Sequence, residues 1–167
     1  MVRWSRPHGI KLKVNVKGMF TREIYGCGLA VIIRDSEGHW VHGCCKVIGG
    51  SAPYALEMHA LLLALNLAWN KGKNDIVIEC EHAKALHVIN DTGKDDLYDG
   101  LVKRINKLRD KDWEECEIVL IDPSANAAVV ALADHAHIEC SGSCLVKELR
   151  SPPSVIQSII DAESRRN

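Results

Sequence analysis

The hydrophobic pattern changes its period partway along the chain, and this change restricts the fold more than any other feature of the sequence. Apolar and polar residues alternate at 12–17, which is typical of a strand with one buried face. Residues 28–33 are almost all apolar, and a turn pattern at 35–38 leads into a third strand at 39–45. Because short turns make adjacent strands antiparallel, these segments predict a β-meander.

From residue 54 the pattern is helical. Residues 54–69 are rich in Leu and Ala and contain neither Pro nor Gly, which predicts a long helix. A strand pattern at 75–81 is reached through that helix, so we expect this strand to be parallel to its sheet partner. Further elements are expected as helices at 83–90, 97–110 and 125–137, the last capped by Ser124, and as a strand at 116–122. The order predicts an α/β (α+β) fold: a mixed five-stranded sheet, three antiparallel strands then two parallel ones, with helices on both faces.

Length and charge are those of one ordinary domain. The chain has 167 residues, and its 21 Lys and Arg nearly balance 22 Asp and Glu, for a net charge of -1. This balance argues against a protein that coats nucleic acid or an anionic membrane by bulk charge. No apolar run is long enough for a transmembrane helix, and residues 1–7 lack the features of a secretory signal. We expect a domain at 1–150, a C-terminal tail with a short helix at 151–167, and an intracellular location in the nucleus or cytoplasm.

The seven cysteines also favour an intracellular protein. Their number is odd and most lie in apolar stretches, so we interpret them as reduced thiols that act as small core residues. One segment, residues 135–140 followed by Cys144, concentrates His, Glu and Cys. It lacks the paired Cys-x-x-Cys spacing of a structural zinc site, and the alternative is a helix end with exposed histidines. No metal and no cofactor are expected.

Several short motifs occur in a characteristic order along this pattern. They are Trp4 and Pro7, residues 13–18, residues 28–38, residues 57–61, residues 79–81, Asn126, Leu132 and Ala133, and finally Pro152, Pro153 and Asp161. In these motifs and in the order of its elements, nearly the whole chain resembles the ribonuclease H type-1 domain. The closest resemblance is to the plant branch, which is related to the ribonuclease H domains of non-LTR retrotransposons.

The resemblance implies a two-metal active site that this sequence does not preserve. Members of the family hydrolyse the RNA strand of RNA–DNA hybrids with four carboxylates that hold two Mg²⁺ ions, because hard divalent ions prefer carboxylate oxygens. The four positions correspond here to Lys17, Glu57, Glu81 and Val130. Only two carboxylates therefore remain, and the loop at 120–123 lacks the histidine that the family carries there. The resemblance thus predicts a degenerate active site.

Lys17 is the substitution with the greatest consequence, because an ammonium group supplies no ligand and repels divalent ions. We expect Lys17 to replace the metal charge by forming a salt bridge with Glu57 and also approaching Glu81. Two acids could in principle restore a ligand: Asp134, one helical turn after the position of Val130, and Asp122, just before the helix. A turn of about 5.4 Å exceeds the tolerance of a metal–ligand bond, so we expect ordinary surface acids.

A local concentration of positive charge leaves nucleic-acid binding open. The first 22 residues contain no acid and six bases, namely Arg3, Arg6, Lys11, Lys13, Lys17 and Arg22. These side chains could contact phosphates, although a solvated arm explains them equally well. We expect a catalytically inactive domain that binds an RNA–DNA hybrid or RNA. The alternatives are a protein–protein interaction module on a decayed fold, a residual metal-dependent hybrid ribonuclease, and a retroelement fragment without a selected role.

Overall fold

A computed structural model describes residues 1–21, 26–91, 96–141 and 143–166, and Arg22 lies outside them. Within this part of the chain one sheet contains six strands in the order β5-β4-β1-β2-β3-β6. The strands are β1 (Leu12–Thr21), β2 (Gly26–Arg34), β3 (Trp40–Ile48), β4 (Asp75–Cys80), β5 (Glu115–Leu120) and β6 (Lys147–Leu149). β1, β2 and β3 form the expected antiparallel meander, and β4 and β5 continue the sheet in parallel beside β1.

The sheet differs from the expected five strands by the addition of β6. This strand has only three residues and pairs antiparallel with β3 through Gly43, Cys44 and Cys45. A run of three residues is too short to show an alternating pattern, which is why sequence periodicity could not reveal it. The predicted mixed sheet with helices on both faces is otherwise confirmed.

The helices occur close to their expected positions. They are α1 (Pro53–Asn70), α2 (Ala83–Asn90), α3 (Asp99–Arg109), α4 (Ala127–Glu139) and α5 (Ser154–Arg165). The expected start of α4 after Ser124 is wrong, because the Asp122 side chain accepts the Ser124 N–H at 2.9 Å and residues Pro123–Ala125 form a short 3-10 turn instead. Asn126 is then the residue that precedes the helix. No helix of the described residues is both long and apolar enough to span a membrane.

Two apolar clusters lie on opposite faces of the sheet. Side chains of β1, β2 and β4 such as Val14 and Ile78 pack against α1, α2 and α3 on one face, and Ala30 and Ile32 pack against α4 on the other. α1 packs closely against β1 at Gly18, because this residue has no Cβ. A Cβ there would lie 2.4 Å from the Leu56 carbonyl oxygen. All seven cysteines are free thiols, and five of them are buried.

The C-terminal helix α5 packs onto this second face. Its Ile156 and Ile160 belong to the cluster around α4. Arg34 at the end of β2 is only 1% exposed, and its guanidinium lies 3.6 Å from the centre of the Trp4 ring and 2.5 Å from Glu163 Oε2. The residues beyond Pro153 therefore share a buried ion pair and an apolar core with the rest of the domain.

Candidate functional site

The face of β1 that is turned toward α4 carries polar side chains inside the protein. Lys13, Asn15 and Lys17 alternate along the strand with Val14 and Val16, whose side chains enter the α1 cluster. Alternation in a strand sends successive side chains to opposite faces, so the three polar groups share one face. The sequence therefore places a row of buried polar residues between the sheet and α4.

The parallel neighbour β4 supplies the charges that balance this row. Glu79 lies opposite Asn15 in the strand register, and Glu81 follows two residues later on the same side. The Lys17 ammonium pairs with Glu81 Oε1, and only 19% and 11% of the two side chains are exposed. Two of the positions that the sequence resemblance assigns to metal ligands are thus joined by an ion pair.

Two asparagines extend this ion pair into a continuous network. Asn126 Nδ2 donates to Glu81 Oε2 at 2.9 Å and to the Val16 carbonyl at 3.0 Å. Its Oδ1 accepts from Asn15 Nδ2 at 3.0 Å, and Asn15 Nδ2 also donates to Glu79 Oε1 at 3.0 Å. Both asparagines are 1% exposed. Since buried amides are costly unless they are hydrogen-bonded, the network holds α4 in one position against the sheet.

A second lysine–glutamate pair closes the other end of the network. Lys13 Nζ lies 3.4 Å from Glu79 Oε2 and donates to the Ser5 carbonyl at 2.5 Å. The Trp4 indole donates to Asn15 Oδ1 at 3.0 Å. The segment before β1 is therefore tied to the same buried row, and each charged end of the row has a counterion.

Glu57 stands apart from the network although it corresponds to a metal-ligand position. It lies near the start of α1, is 1% exposed, and accepts the Gly18 N–H at 3.0 Å through Oε1. Its Oε2 is buried and has no hydrogen-bond partner among the described residues. Burial raises the pKa of the Glu57 carboxyl to about 7, and the Glu81 charge adds to this, although the Gly18 N–H, the Lys17 charge and the nearby Glu81 N–H act to lower it.

The expected ion pair of Lys17 with Glu57 is wrong, while its approach to Glu81 is observed. In the described part of the chain, Lys17 pairs with Glu81 and not with Glu57. The reason is the strand geometry: the Lys17 side chain points toward α4, whereas Gly18, the next residue, faces Glu57 and the start of α1. The Lys17 ammonium therefore forms an ion pair with only one of the two carboxylates.

Comparison with known proteins assigns a family to this arrangement. A family profile described as reverse transcriptase-like matches residues 15–136, which is well over half of the chain. The chain belongs to the reverse transcriptase-like family. No curated protein is similar enough in sequence to be matched to this reverse transcriptase-like chain.

Solved ribonuclease H structures show the same fold as the reverse transcriptase-like chain. RNase H1 from the halophilic archaeon Halobacterium salinarum NRC-1 is 18% identical, with a TM-score of 0.66 over 75% of this chain and 96% of its own. LC11-RNase H1, isolated from compost by a metagenomic approach, is 18% identical with the same TM-score over 80% and 100%. The N-terminal RNase H domain of a Mycobacterium tuberculosis protein is 14% identical, again at 0.66, over 82% and 100%. The expected ribonuclease H type-1 fold is confirmed.

The remaining candidate ligand positions of the reverse transcriptase-like chain do not complete a metal site. Val130 lies one helical turn beyond Asn126 in α4 and has no oxygen to offer. Asp134 is exposed on the same helix. The Asp122 carboxylate accepts the Ser124 hydroxyl at 2.5 Å, and this bond lowers the pKa of Asp122. Neither acid is bonded to Lys17 or to the two glutamates in the described structure.

The residues that are present do not fit a pair of divalent ions. Both oxygens of Glu81 already have partners, Lys17 and Asn126, and the Lys17 ammonium lies where the family carries an aspartate. Among the residues that the structure describes, no three His, Cys, Asp or Glu side chains come together in a way that could hold a metal ion. This includes the segment at 135–140, where Cys140 Sγ lies 3.7 Å from Cys45 Sγ and His135 lies 3.9 Å from Glu139.

The basic residues of the N-terminal segment are mostly engaged in the structure. Lys11 pairs with Glu115 and lies 3.9 Å from Asp75. Lys13 and Lys17 belong to the buried network, and Arg6 donates to the Ser164 carbonyl at 2.9 Å. Arg3 is exposed. Three of the six bases in this segment, Lys11, Lys13 and Lys17, are therefore paired with acids on or directly after β4 and on β5.

A basic groove that sequence reasoning missed lies beside α1. Lys46 of β3, His59 of α1 and Arg104 of α3 line a cavity of about 470 Å³ together with the loop at 49–51, and none of the described residues that line it is an acid. Burial lowers the pKa of His59, and the nearby Lys46 and Arg104 lower it further. The three residues come from separate elements, so no contiguous motif could have indicated them.

Proposed function

We propose that this chain is a ribonuclease H-like domain that binds an RNA–DNA hybrid or RNA without cleaving it. The observation that carries the proposal is the ion pair of Lys17 with Glu81, at the positions where family members carry two metal-binding carboxylates. The proposal includes the finer placement in the plant and non-LTR retrotransposon-related branch. It also includes an intracellular location, which the buried free thiols support because reduced cysteines persist in reducing compartments.

Electrostatics supports the loss of metal-dependent cleavage. The repulsion between an ammonium group and a divalent ion ~4 Å away is about 8 kcal/mol at an effective dielectric constant of about 20. Two-metal hydrolysis needs several oxygen ligands at fixed positions, and here Val130 supplies none. We infer that the positive charge formerly carried by metal ions is carried by a side chain, which preserves the fold but removes the chemistry.

The basic groove supports nucleic-acid binding. Lys46 and Arg104 have no acidic partner in the described structure and border the same cavity as His59. LC11-RNase H1, which has this fold, has been solved in complex with an RNA/DNA hybrid at 18% identity. Phosphate contacts depend on local cations rather than on net charge, so a chain of net charge -1 can still bind a polyanion. The exposed Arg3 and the basic N-terminal segment remain proposed contributors.

The test combines binding and cleavage of one labelled RNA–DNA hybrid. Fluorescence anisotropy over a range of salt concentrations is expected to show binding that weakens as salt rises, and no cleavage is expected with Mg²⁺ or Mn²⁺. The double variant Lys46→Ala/Arg104→Ala should weaken binding on the order of tenfold. Lys103→Ala is the matched control, because Lys103 is exposed on the same helix and paired with Asp99 at 2.7 Å.

A variant carrying Lys17→Asp, Glu81→Asp and Val130→Asp is the reference for cleavage, since it rebuilds the set of four carboxylates. Metal-dependent cleavage by the unmodified chain would show a residual ribonuclease instead. Absence of hybrid and RNA binding at low salt would favour a protein–protein interaction module. An equal loss of affinity in the Lys103→Ala control would remove the assignment of the groove.

A further inference from the structure

A second polar cavity lies on the opposite side of the molecule from the basic groove, against α5. It has a volume of about 630 Å³ and is formed by the turn between β2 and β3, residues 150–152 and one face of α5. Most of its lining residues lie outside residues 15–136, the part of the chain that the family profile matches. Its volume is within the range of about 300–1,000 Å³ that is usual for small-molecule sites.

Three arginines surround this cavity without acidic partners. Arg6, Arg150 and Arg165 all line it, and none is in an ion pair with a described carboxylate. By contrast, Arg34 is paired with Glu163 at 2.5 Å, and Lys11 with Glu115. Arg6, Arg150 and Arg165 therefore bring three guanidinium groups, without an ion-pair partner in the described structure, to the lining of one cavity.

The acids of the same cavity have other partners. Asp161 Oδ1 accepts the Gln157 side-chain N–H at 2.7 Å, and Glu37 Oε2 lies 3.5 Å from His39 Nδ1. Arg6 is held in place by its bond to the Ser164 carbonyl at 2.9 Å. A held guanidinium loses less conformational entropy when it binds an anion, and its planar donors match the oxygens of a phosphate.

We propose that this cavity binds a small phosphorylated molecule, with the phosphate group between Arg150, Arg165 and Arg6. Each guanidinium donates N–H groups to phosphate oxygens, and the remaining carboxylate oxygens of Asp161 and Glu37 accept hydroxyl groups of the ligand. A phosphorylated sugar or the sugar-phosphate part of a nucleotide has this combination of groups. The site shares only Arg6 with the nucleic-acid function proposed above, and Arg150 and Arg165 belong to neither the basic groove nor the N-terminal segment.

The experiment titrates the whole chain with ribose 5-phosphate by calorimetry and by backbone and indole NMR. Inorganic phosphate, ribose and sodium chloride at equal ionic strength are the comparison ligands. Binding is expected for ribose 5-phosphate, more weakly for phosphate, and not for ribose, with shifts at the Trp40 indole and at Gly38. The variant Arg150→Gln/Arg165→Gln should weaken binding at least about tenfold, since it removes two charge-assisted contacts.

The matched control is Arg104→Gln, which removes an equally exposed arginine from the basic groove instead. It should leave the affinity for ribose 5-phosphate unchanged while it weakens binding of the RNA–DNA hybrid, so the two proposals fail separately. Equal shifts with sodium chloride, or an equal loss of affinity in Arg104→Gln, would overturn the site. A third result would also overturn the site, in favour of a nucleic-acid contact. In that result ribose 5-phosphate does not bind, whereas a single-stranded oligonucleotide binds in a way that requires Arg150 and Arg165.

Discussion

Glu57 and Glu81, which the sequence resemblance assigns to metal-ligand positions, differ in their surroundings, and Glu57 is buried whereas Glu81 is partly buried. Glu81 has a partner for each oxygen, the Lys17 ammonium and the Asn126 amide. Glu57, on the other side of β1, has one oxygen on the Gly18 N–H and one without a hydrogen-bond partner in the described structure. A metal ion can share its charge among several carboxylates, whereas one lysine side chain lies on one face of a strand. The Lys17 ammonium therefore forms an ion pair with only one of the two glutamates and acts on Glu57 only through its charge.

The largest expected effect comes from removing the Lys17 ammonium that pairs with Glu81. Lys17→Met should lower the free energy of unfolding by about 3 kcal/mol, because it leaves Glu81 mostly buried without its cation. Urea denaturation at pH 7 measures the loss. The double variant Lys17→Met/Glu81→Leu should recover at least half of it, since replacing both members of a buried pair by apolar groups is often neutral. A loss below about 1 kcal/mol in the single variant would show that the pair contributes little.

Asn126→Ala tests the amide that completes the environment of Glu81. The variant removes the bonds to Glu81, Asn15 and the Val16 carbonyl, so we expect a loss of about 2 kcal/mol in the free energy of unfolding. Asn106→Ala is the control, because the partly buried Asn106 side chain lies outside the network, donating to the Ile89 carbonyl at 3.0 Å and accepting from Arg109 at 3.1 Å. An equal loss in both variants would mean that the network adds nothing to its separate bonds.

Glu57→Gln tests the glutamate that has no ion pair in the described structure, through the pH dependence of stability. The folded-state pKa of about 7 lies above the ordinary value of 4.5, so the folded protein binds this proton more tightly than the unfolded chain does. The contribution of Glu57 to stability is therefore most favourable below pH 4.5 and is lost as pH rises through 7. The glutamine variant should lack this dependence and be roughly 2 kcal/mol more stable than the parent at pH 9. Parallel stability curves of the two proteins between pH 5 and about 9 would contradict the assignment.

The smallest effect is expected for Lys11, which directly precedes β1 and is paired outside the network. Lys11→Ala removes the ion pairs with Glu115 and Asp75 at positions where solvent screens the charges, so the loss of stability should be the smallest of the series. Denaturation at low and at high salt measures this contribution. A loss as large as that of Lys17→Met would show that burial does not distinguish the two lysines.

The fold could be predicted from the sequence because the patterns that indicate its strands and helices are local. The alternation around Val14 and the Leu- and Ala-rich stretch of α1 depend only on neighbouring residues, and both elements occur where they were expected. The proximity of Lys17 and Glu81 could be inferred from the resemblance to a known site. The choice between Glu57 and Glu81 as the partner of Lys17 could not, because it depends on which face of β1 carries the side chain next to each helix.

The asparagine bridge and the basic groove were beyond the reach of a single sequence for a related reason. Asn15 and Asn126 are 111 positions apart in the sequence. Their hydrogen bond forms only because the sheet register and the start of α4 bring the two side-chain amides within bonding distance. Lys46, His59 and Arg104 likewise come from three elements. Such juxtapositions are properties of packing, and no local periodicity encodes them.

The buried guanidinium of Arg34 has a consequence for how the molecule opens. The Trp4 ring covers it from the start of the chain, and Glu163 neutralises it from the last helix. If either end of the chain detached, the Arg34 guanidinium at the end of β2 would lose its cover or its counterion. Independent fraying of the termini is therefore unfavourable. Both ends should therefore exchange their amide hydrogens together with β2, as parts of one cooperative unit that opens only when the domain itself unfolds.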